Sequence, residues 1–136
     1  MATCIFCAIV AQQIPSTMVA ASEQALAIMD INPANDGHVL VLPKTHSTDL
    51  FDLESEVGAD AMRLCLRVAR AIRASLQPDG LNLLQASGEA AGQEVFHTHF
   101  HLLPRWHGDG TFRWWEMHPG DADRIRQVAA QIRAAL

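Results

Sequence analysis

Three histidines stand at alternate positions, His97, His99 and His101, in the stretch Val95-Phe96-His97-Thr98-His99-Phe100-His101-Leu102-Leu103-Pro104-Arg105. Near neutral pH an imidazole can act as nucleophile, proton carrier or metal ligand. On an extended chain successive side chains point to opposite faces. The alternation therefore predicts a strand with the three rings on one face and Phe96, Thr98 and Phe100 on the other. A lone strand histidine is usually a buried, hydrogen-bonded residue. Three in register, directly after the small-residue loop Ser87-Gly88-Glu89-Ala90-Ala91-Gly92-Gln93, read as a functional site. Such loops expose backbone N–H groups that can wrap an anion.

A second constellation is the Cys4-x-x-Cys7 pair. The chain has 3 cysteines, an odd number that suits free or metal-bound thiols in a reducing compartment better than a disulfide framework. Cys65, among Leu64, Leu66 and Val68, reads as plain core. With no apolar run of membrane-spanning length and no signal-peptide pattern at the start, a cytoplasmic protein is expected. The 136 residues fit one domain, with a core over about 4–105 and a tail over 106–136. Apolar residues are 49% and charged residues 18%, which argues against disorder. A net charge of −5 disfavours nonspecific binding of duplex nucleic acid.

The elements that must carry these residues follow from pattern. Cys4 to Val10 is a short apolar opening, helical turn or strand. Ala25 to Ile31 reads as a buried strand, the turn-rich Asn32-Pro33-Ala34-Asn35-Asp36-Gly37 as a turn, and His38 to Leu42 as its antiparallel partner stopped by Pro43. Ser47-Thr48-Asp49 offers capping oxygens. Val57, Ala61, Leu64, Val68, Ala71, Ile72 and Leu76 then mark a helix over about 55–76. Arg63, Arg67 and Arg70 form a stripe on it that reads as a solvated face. Pro78-Asp79-Gly80 ends the helix and Leu81 to Gln85 is a further strand. Asp121 caps a last helix with Ile125, Val128, Ala129 and Ile132 on one face. The fold class is α+β, an antiparallel sheet of about five strands with one long helix and a C-terminal helix.

His97-Thr98-His99-Phe100-His101-Leu102-Leu103 resembles the signature of the histidine triad family. The resemblance extends to Cys4-Ile-Phe-Cys7, Asp30-Ile31-Asn32-Pro33, Gly37-His38-Val39-Leu40-Val41-Leu42-Pro43-Lys44-x-His46, Gly80-Leu81-Asn82 and Ala91-Gly92-Gln93-x-Val95, and covers about 4–105. The tail with Trp114 and Trp115 resembles the bacterial branch. The resemblance implies a homodimer that binds purine nucleotides and transfers or hydrolyses nucleotidyl groups. It implies that His99 attacks the α-phosphorus and forms a nucleotidyl-histidine that water cleaves, with His101, His97 and His38 completing the catalytic set. Gly92, Gln93 and the backbone of Glu94 and Val95 would surround the phosphate. Asp30 would hold the ribose, and Ile5, Phe6, Ile9, Ile28, Ile31 and Leu40 would form the base slot, each with ordinary core as its alternative. By the same resemblance Cys4, Cys7, His46 and His97 could hold a structural zinc, the alternative being free thiols and a hydrogen-bonded His97; no organic cofactor is implied.

Two positions depart from the family pattern. Ala86 stands where relatives often carry an amide, so that contact is absent or supplied by Ser87. Glu94 stands where Ser or Thr is common, and its carboxylate either weakens phosphate binding or favours a substrate with a basic leaving group. The leading expectation is hydrolysis of nucleoside phosphoramidates or related nucleotidyl esters. A dinucleoside polyphosphate hydrolase is the runner-up, since Pro104-Arg105 with Gly108-Asp109 resembles that branch too. A nucleotide-binding protein with little turnover is the alternative from another class. A catalytic zinc site built on all three triad histidines is disfavoured, because a Cys-x-x-Cys partner and a phosphate loop fit it poorly.

Overall fold

The computed structural model describes residues 4–111 and 117–136. Phe112, Trp114 and Trp115 of the tail therefore lie outside the described residues. A five-stranded antiparallel sheet runs in the order β1-β2-β3-β5-β4, with β1 Met18–Ala21, β2 Ala25–Met29, β3 Val39–Pro43, β4 Gly80–Leu84 and β5 Phe100–Arg105. Three helices accompany it, α1 Ile5–Val10, α2 Ser55–Leu76 and α3 Ala122–Ala134.

The strand alternation sorts the core into two halves. Ala25, Ala27, Val39, Val41, Phe100 and Leu102 pack against Ala61, Leu64, Cys65, Val68 and Ile72 of α2. Leu26, Ile28, Leu40 and Leu42 pack with Phe6 of α1. Register decides which side the histidines take: Leu40 pairs with His101 and Val41 with Phe100. His101 thus shares the α1 side with Leu40, and Phe100 enters the α2 side.

α2 matches the bounds read from its apolar period, and Cys65 is core. Its start is different. Glu54 stands at the cap without a side-chain bond, and the 47–49 oxygens are used elsewhere. Asp49 accepts from its own neighbour Phe51 N–H, and Ser47 bonds Thr98. The opening stretch is a helix, with the Cys4 sulfur accepting from Cys7 N–H at 3.4 Å. β1 was not anticipated; it is a mostly exposed four-residue edge strand with little apolar alternation to read. α3 is capped by Asp121 as expected, yet buries none of its residues among those described, with Ile125 and Ile132 about 60% exposed.

The predicted histidine strand is shorter than its pattern. The ladder begins at Phe100, and His97, Thr98 and His99 precede it. The reason is Pro43 at the end of β3, which has no N–H to continue the pairing. Thr98 N–H instead donates to Ser47 O at 2.8 Å.

Gly37, which feeds β3, has φ +82°, and a Cβ there would run into Leu76 and Pro104. Gly37→Ala is expected to lower stability by about 2 kcal/mol through strain and forced displacement, read as a reduced midpoint in urea unfolding at an unchanged slope.

Candidate functional site

The site is built where the ends of β2, β3 and β5 meet α1 and the loop before His97. A cavity of about 540 Å³ opens there, lined by Phe6, Ile9, Ile28, Asp30, Ile31, Leu40, Gly92, Glu94, Val95, His99 and His101, together with Ile5. That size suits a small organic ligand. Ile14, Pro15, Ser16, Met29 and Asn32 also line it. They come from an irregular segment and a strand end, where period carries no signal. His38, His97 and Gln93 do not line the cavity; they act on it through neighbours.

Hydrogen bonds fix the tautomer of each ring, because a carbonyl can only accept and an N–H can only donate. His99 Nδ1 lies 2.7 Å from the carbonyl of His97 and must carry the proton. Its Nε2 is left with a lone pair. His97 Nε2 donates to the carbonyl of Pro43 at 2.7 Å, leaving its Nδ1 as a lone-pair atom. Ala34 N–H donates to His38 Nδ1 at 3.1 Å, so His38 carries its proton on Nε2, 2.9 Å from His101 Nδ1. Neutral His101 then bears its proton on Nε2. The result is one imidazole with a free lone pair beside another with a free N–H, their centroids 5.0 Å apart.

Burial lowers the pKa of His38, His97 and His101. It pushes His101 down to about 4, with the neighbouring His99 and His38 adding to the effect. Burial also lowers His38, partly opposed by Asp30, whose carboxylate lies 3.6 Å from His38 Nε2. The other oxygen of Asp30 accepts from Asn32 N–H at 2.8 Å. Asp30 thereby stands at the cavity wall in a fixed orientation.

The loop is held from within. Gln93 was expected at the phosphate, but its side chain is turned inward. Nε2 donates to the carbonyls of Thr48 and Val95, and Oε1 accepts from Gly88 N–H at 2.7 Å. The flanking Gly92, at φ +90°, gives the backbone a left-handed step that L side chains rarely adopt. Ser87 cannot replace the missing amide at Ala86, because its hydroxyl is engaged with Leu50 N–H and with Gln85. Arg105 and Asp109 are likewise removed from the cavity. They form a two-bond ion pair at 2.8 Å, and Asp109 also accepts from Asn35, Trp106 and Thr111.

Cys4, Cys7, His46 and His97 bring one ligand atom each within 4.8 Å of one another. Cys4 Sγ and Cys7 Sγ lie 3.3 and 3.5 Å from His97 Nδ1. His46 Nδ1 lies 3.4 Å from Cys7 Sγ and 3.2 Å from His97 Nδ1. Metal–nitrogen and metal–sulfur bonds of about 2.0–2.3 Å at tetrahedral angles give ligand–ligand edges of about 3.3–3.8 Å. The donor set and its spacing fit a tetrahedral divalent ion. Without one, burial and Cys4 push the Cys7 thiol up, so a cation is what would make that sulfur a thiolate. Ser47, a capping candidate by sequence, instead donates to buried Thr98 at 2.7 Å, and the pair clamps this group together by fixing His46 beside His97. The three triad histidines do not converge on one point among the described residues: His97 faces the cysteines and His101 faces His38.

The HIT domain family model matches residues 11–108. The chain is 44% identical to protein hit of Bacillus subtilis, over 98% of this chain and 94% of that protein. It is 37% identical to an adenosine 5'-monophosphoramidase of Saccharomyces cerevisiae, over 99% of this chain and 84% of that protein. Among solved structures, a HIT family protein from Bacillus anthracis superposes with a TM-score of 0.92 at 38% identity, covering 98% of this chain and 96% of that one. A Zn-bound histidine triad family protein from Mycobacterium smegmatis gives a TM-score of 0.76 at 38% identity, covering 98% of each chain.

The depressed rings tie stability to pH. An unfolded chain protonates its histidines near 6.5, whereas His101 folded stays neutral until about 4. Between those values the unfolded state binds more protons, so the His101 contribution to stability falls as pH drops and levels off below about 4. Thermal melts from pH 7 to 4.5 are expected to show a decreasing midpoint. His101→Asn, which cannot titrate, is expected to flatten part of that slope.

Proposed function

The chain belongs to the histidine triad (HIT) family, and from that premise we propose that it hydrolyses purine nucleoside phosphoramidates, or related nucleotide esters, at the α-phosphorus. The observation that carries the reading is the lone pair of His99 Nε2, left free by the bond from Nδ1–H to the His97 carbonyl. A neutral imidazole held in that tautomer is a nucleophile already aimed. Phe6, Ile9, Ile28, Ile31 and Leu40 receive the base and Asp30 accepts from the ribose hydroxyls. The backbone of Gly92, Glu94 and Val95, with His101 Nε2–H, donates to the phosphoryl oxygens. His99 Nε2 forms a bond to phosphorus as the bond to the leaving amine breaks. The amine departs with that electron pair and takes a proton from solvent. Water then cleaves the nucleotidyl-histidine, returns one proton and releases the nucleoside monophosphate. The monophosphoramidase name of the yeast relative supports this substrate class.

A structural zinc at Cys4, Cys7, His46 and His97 completes the reading, supported by the ligand spacing and by the Zn-bound mycobacterial relative. With four protein ligands the ion has no open position and serves to fix the fold. The protein works as a homodimer. Edge strand β4 exposes Leu81 and Leu83, and α2 exposes Leu66, so a second copy has an unpaired strand and apolar side chains to meet. The thiols suit the reducing cytoplasm.

Wild type mixed with an adenosine phosphoramidate is expected to release AMP and to gain transiently the mass of a nucleotidyl group. His99→Gly is expected to bind nucleotide but lose at least about a thousandfold in turnover. Tight binding with no release by the wild type would leave a nucleotide-binding protein instead. Protein purified without added metal is expected to carry zinc near one per chain, and Cys7→Ser to lose it and melt earlier. Zinc near zero in the wild type would sink the metal assignment.

A further inference from the structure

The charges around the cavity are one-sided. Among the described residues its lining holds two carboxylates, Asp30 and Glu94, and neither lysine nor arginine. Asp30 is engaged by Asn32 N–H and lies against His38. Glu94 makes no hydrogen bond or ion pair with any described residue, and it is exposed. It belongs to the same loop wall as Gly92 and Val95, beside His99 and His101, while the apolar half is supplied by α1 and the strand ends. Glu94 therefore lines the part of the cavity that the loop and the two histidines share, and it is open to solvent.

We propose that Glu94 is a specificity residue that selects nucleotidyl substrates whose leaving group carries a positive charge, such as an amine bearing a second ammonium. The proposal rests on the reading of this cavity as a nucleotidyl-transfer site. A free carboxylate in a phosphate-binding pocket repels the bound substrate unless the substrate brings its own cation. A diamine or basic amino acid joined to phosphorus through one nitrogen does so. Its second ammonium extends away from the nucleoside, toward the loop, and meets Glu94 across the mouth. A polyphosphate leaving group brings several negative charges to the same place and is repelled. The same carboxylate thus favours one class of nucleotidyl compound and rejects the other.

The test is a charge series. Three adenosine 5'-phosphoramidates of equal tether length, ending in an ammonium, a methyl group or a carboxylate, are compared by kcat/KM in wild type, Glu94→Gln and Glu94→Lys. For the wild type the order is ammonium, methyl, carboxylate. An exposed ion pair contributes roughly 0.2–1 kcal/mol, so the ammonium-to-methyl ratio is expected to fall about two- to fivefold in Glu94→Gln. Glu94→Lys reverses the order, and added salt shrinks the wild-type ratios. Ratios that are the same in all three proteins overturn the proposal while leaving the enzyme reading intact. Release of AMP from none of the three substrates by the wild type overturns the enzyme reading, and the proposal with it.

Discussion

The 2.7 Å bond from His99 Nδ1–H to the carbonyl of His97 is the constraint on which the site depends. It fixes which nitrogen of His99 is free, and that carbonyl stays in place only because His97 is held at every other point. Its Nε2 donates to Pro43, its Nδ1 faces Cys4, Cys7 and His46, and the next residue, Thr98, is clamped to Ser47 by backbone and hydroxyl. Phe6, on the one turn of helix between the two cysteines and the base slot, sets its edge against both His97 and His99, at 5.7 and 5.1 Å. The Cys4, Cys7, His46 and His97 group and the free lone pair of His99 are therefore neighbours along one backbone. What holds the N-terminal helix also holds the His99 ring and one wall of the cavity.

The sheet supplies the rest by division of labour. One face is consumed by α2, which buries an unbroken row of apolar residues and gives the strands their rigidity. The other face is left partly open under α1, and there Ile28, Leu40 and His101 come up side by side. A slip of one residue between β3 and β5 would turn His101 into the α2 core and Phe100 into the cavity. Pro43 serves twice: lacking an N–H it ends the ladder before His99, and its carbonyl fixes the ring of His97.

Much of this was legible in the sequence because burial repeats with a period. The apolar steps of α2, the pairing of β2 with β3, and the inward and outward sides of His97 to His101 all follow from spacing. What spacing cannot show is where a polar side chain finds its partner. Gln93 closes its loop through Thr48, 45 residues away, and Ser47 reaches Thr98 across 51. The short α1 and the exposed β1 lack enough turns or alternation to register. Arg105 and Asp109, in the run that resembles the dinucleoside polyphosphate hydrolases, form a corner brace: they bond each other, Arg105 also donates to Asn82, and Asp109 accepts from Asn35, Trp106 and Thr111. Glu94 was visible as an oddity in the sequence, but its meaning comes from a cavity whose described lining holds no lysine or arginine.

That absence bears on how such a pocket can catalyse at all. With no lysine or arginine among the described lining residues and burial pushing His101 down to about 4, a substrate phosphate bound as proposed would be held by N–H dipoles and opposed by the carboxylates. In the proposed route the balance changes during the reaction. As the neutral His99 ring bonds to phosphorus while keeping its Nδ1 proton, positive charge grows on the imidazole. Asp30 and Glu94 are then on the favourable side. An environment that binds the substrate weakly and the charged intermediate better lowers the barrier rather than deepening the well before it. A lysine in place of Glu94 would do the reverse. The acid at the mouth is thus consistent with turnover, and the bond that keeps the proton on His99 Nδ1 is what lets the charge develop there.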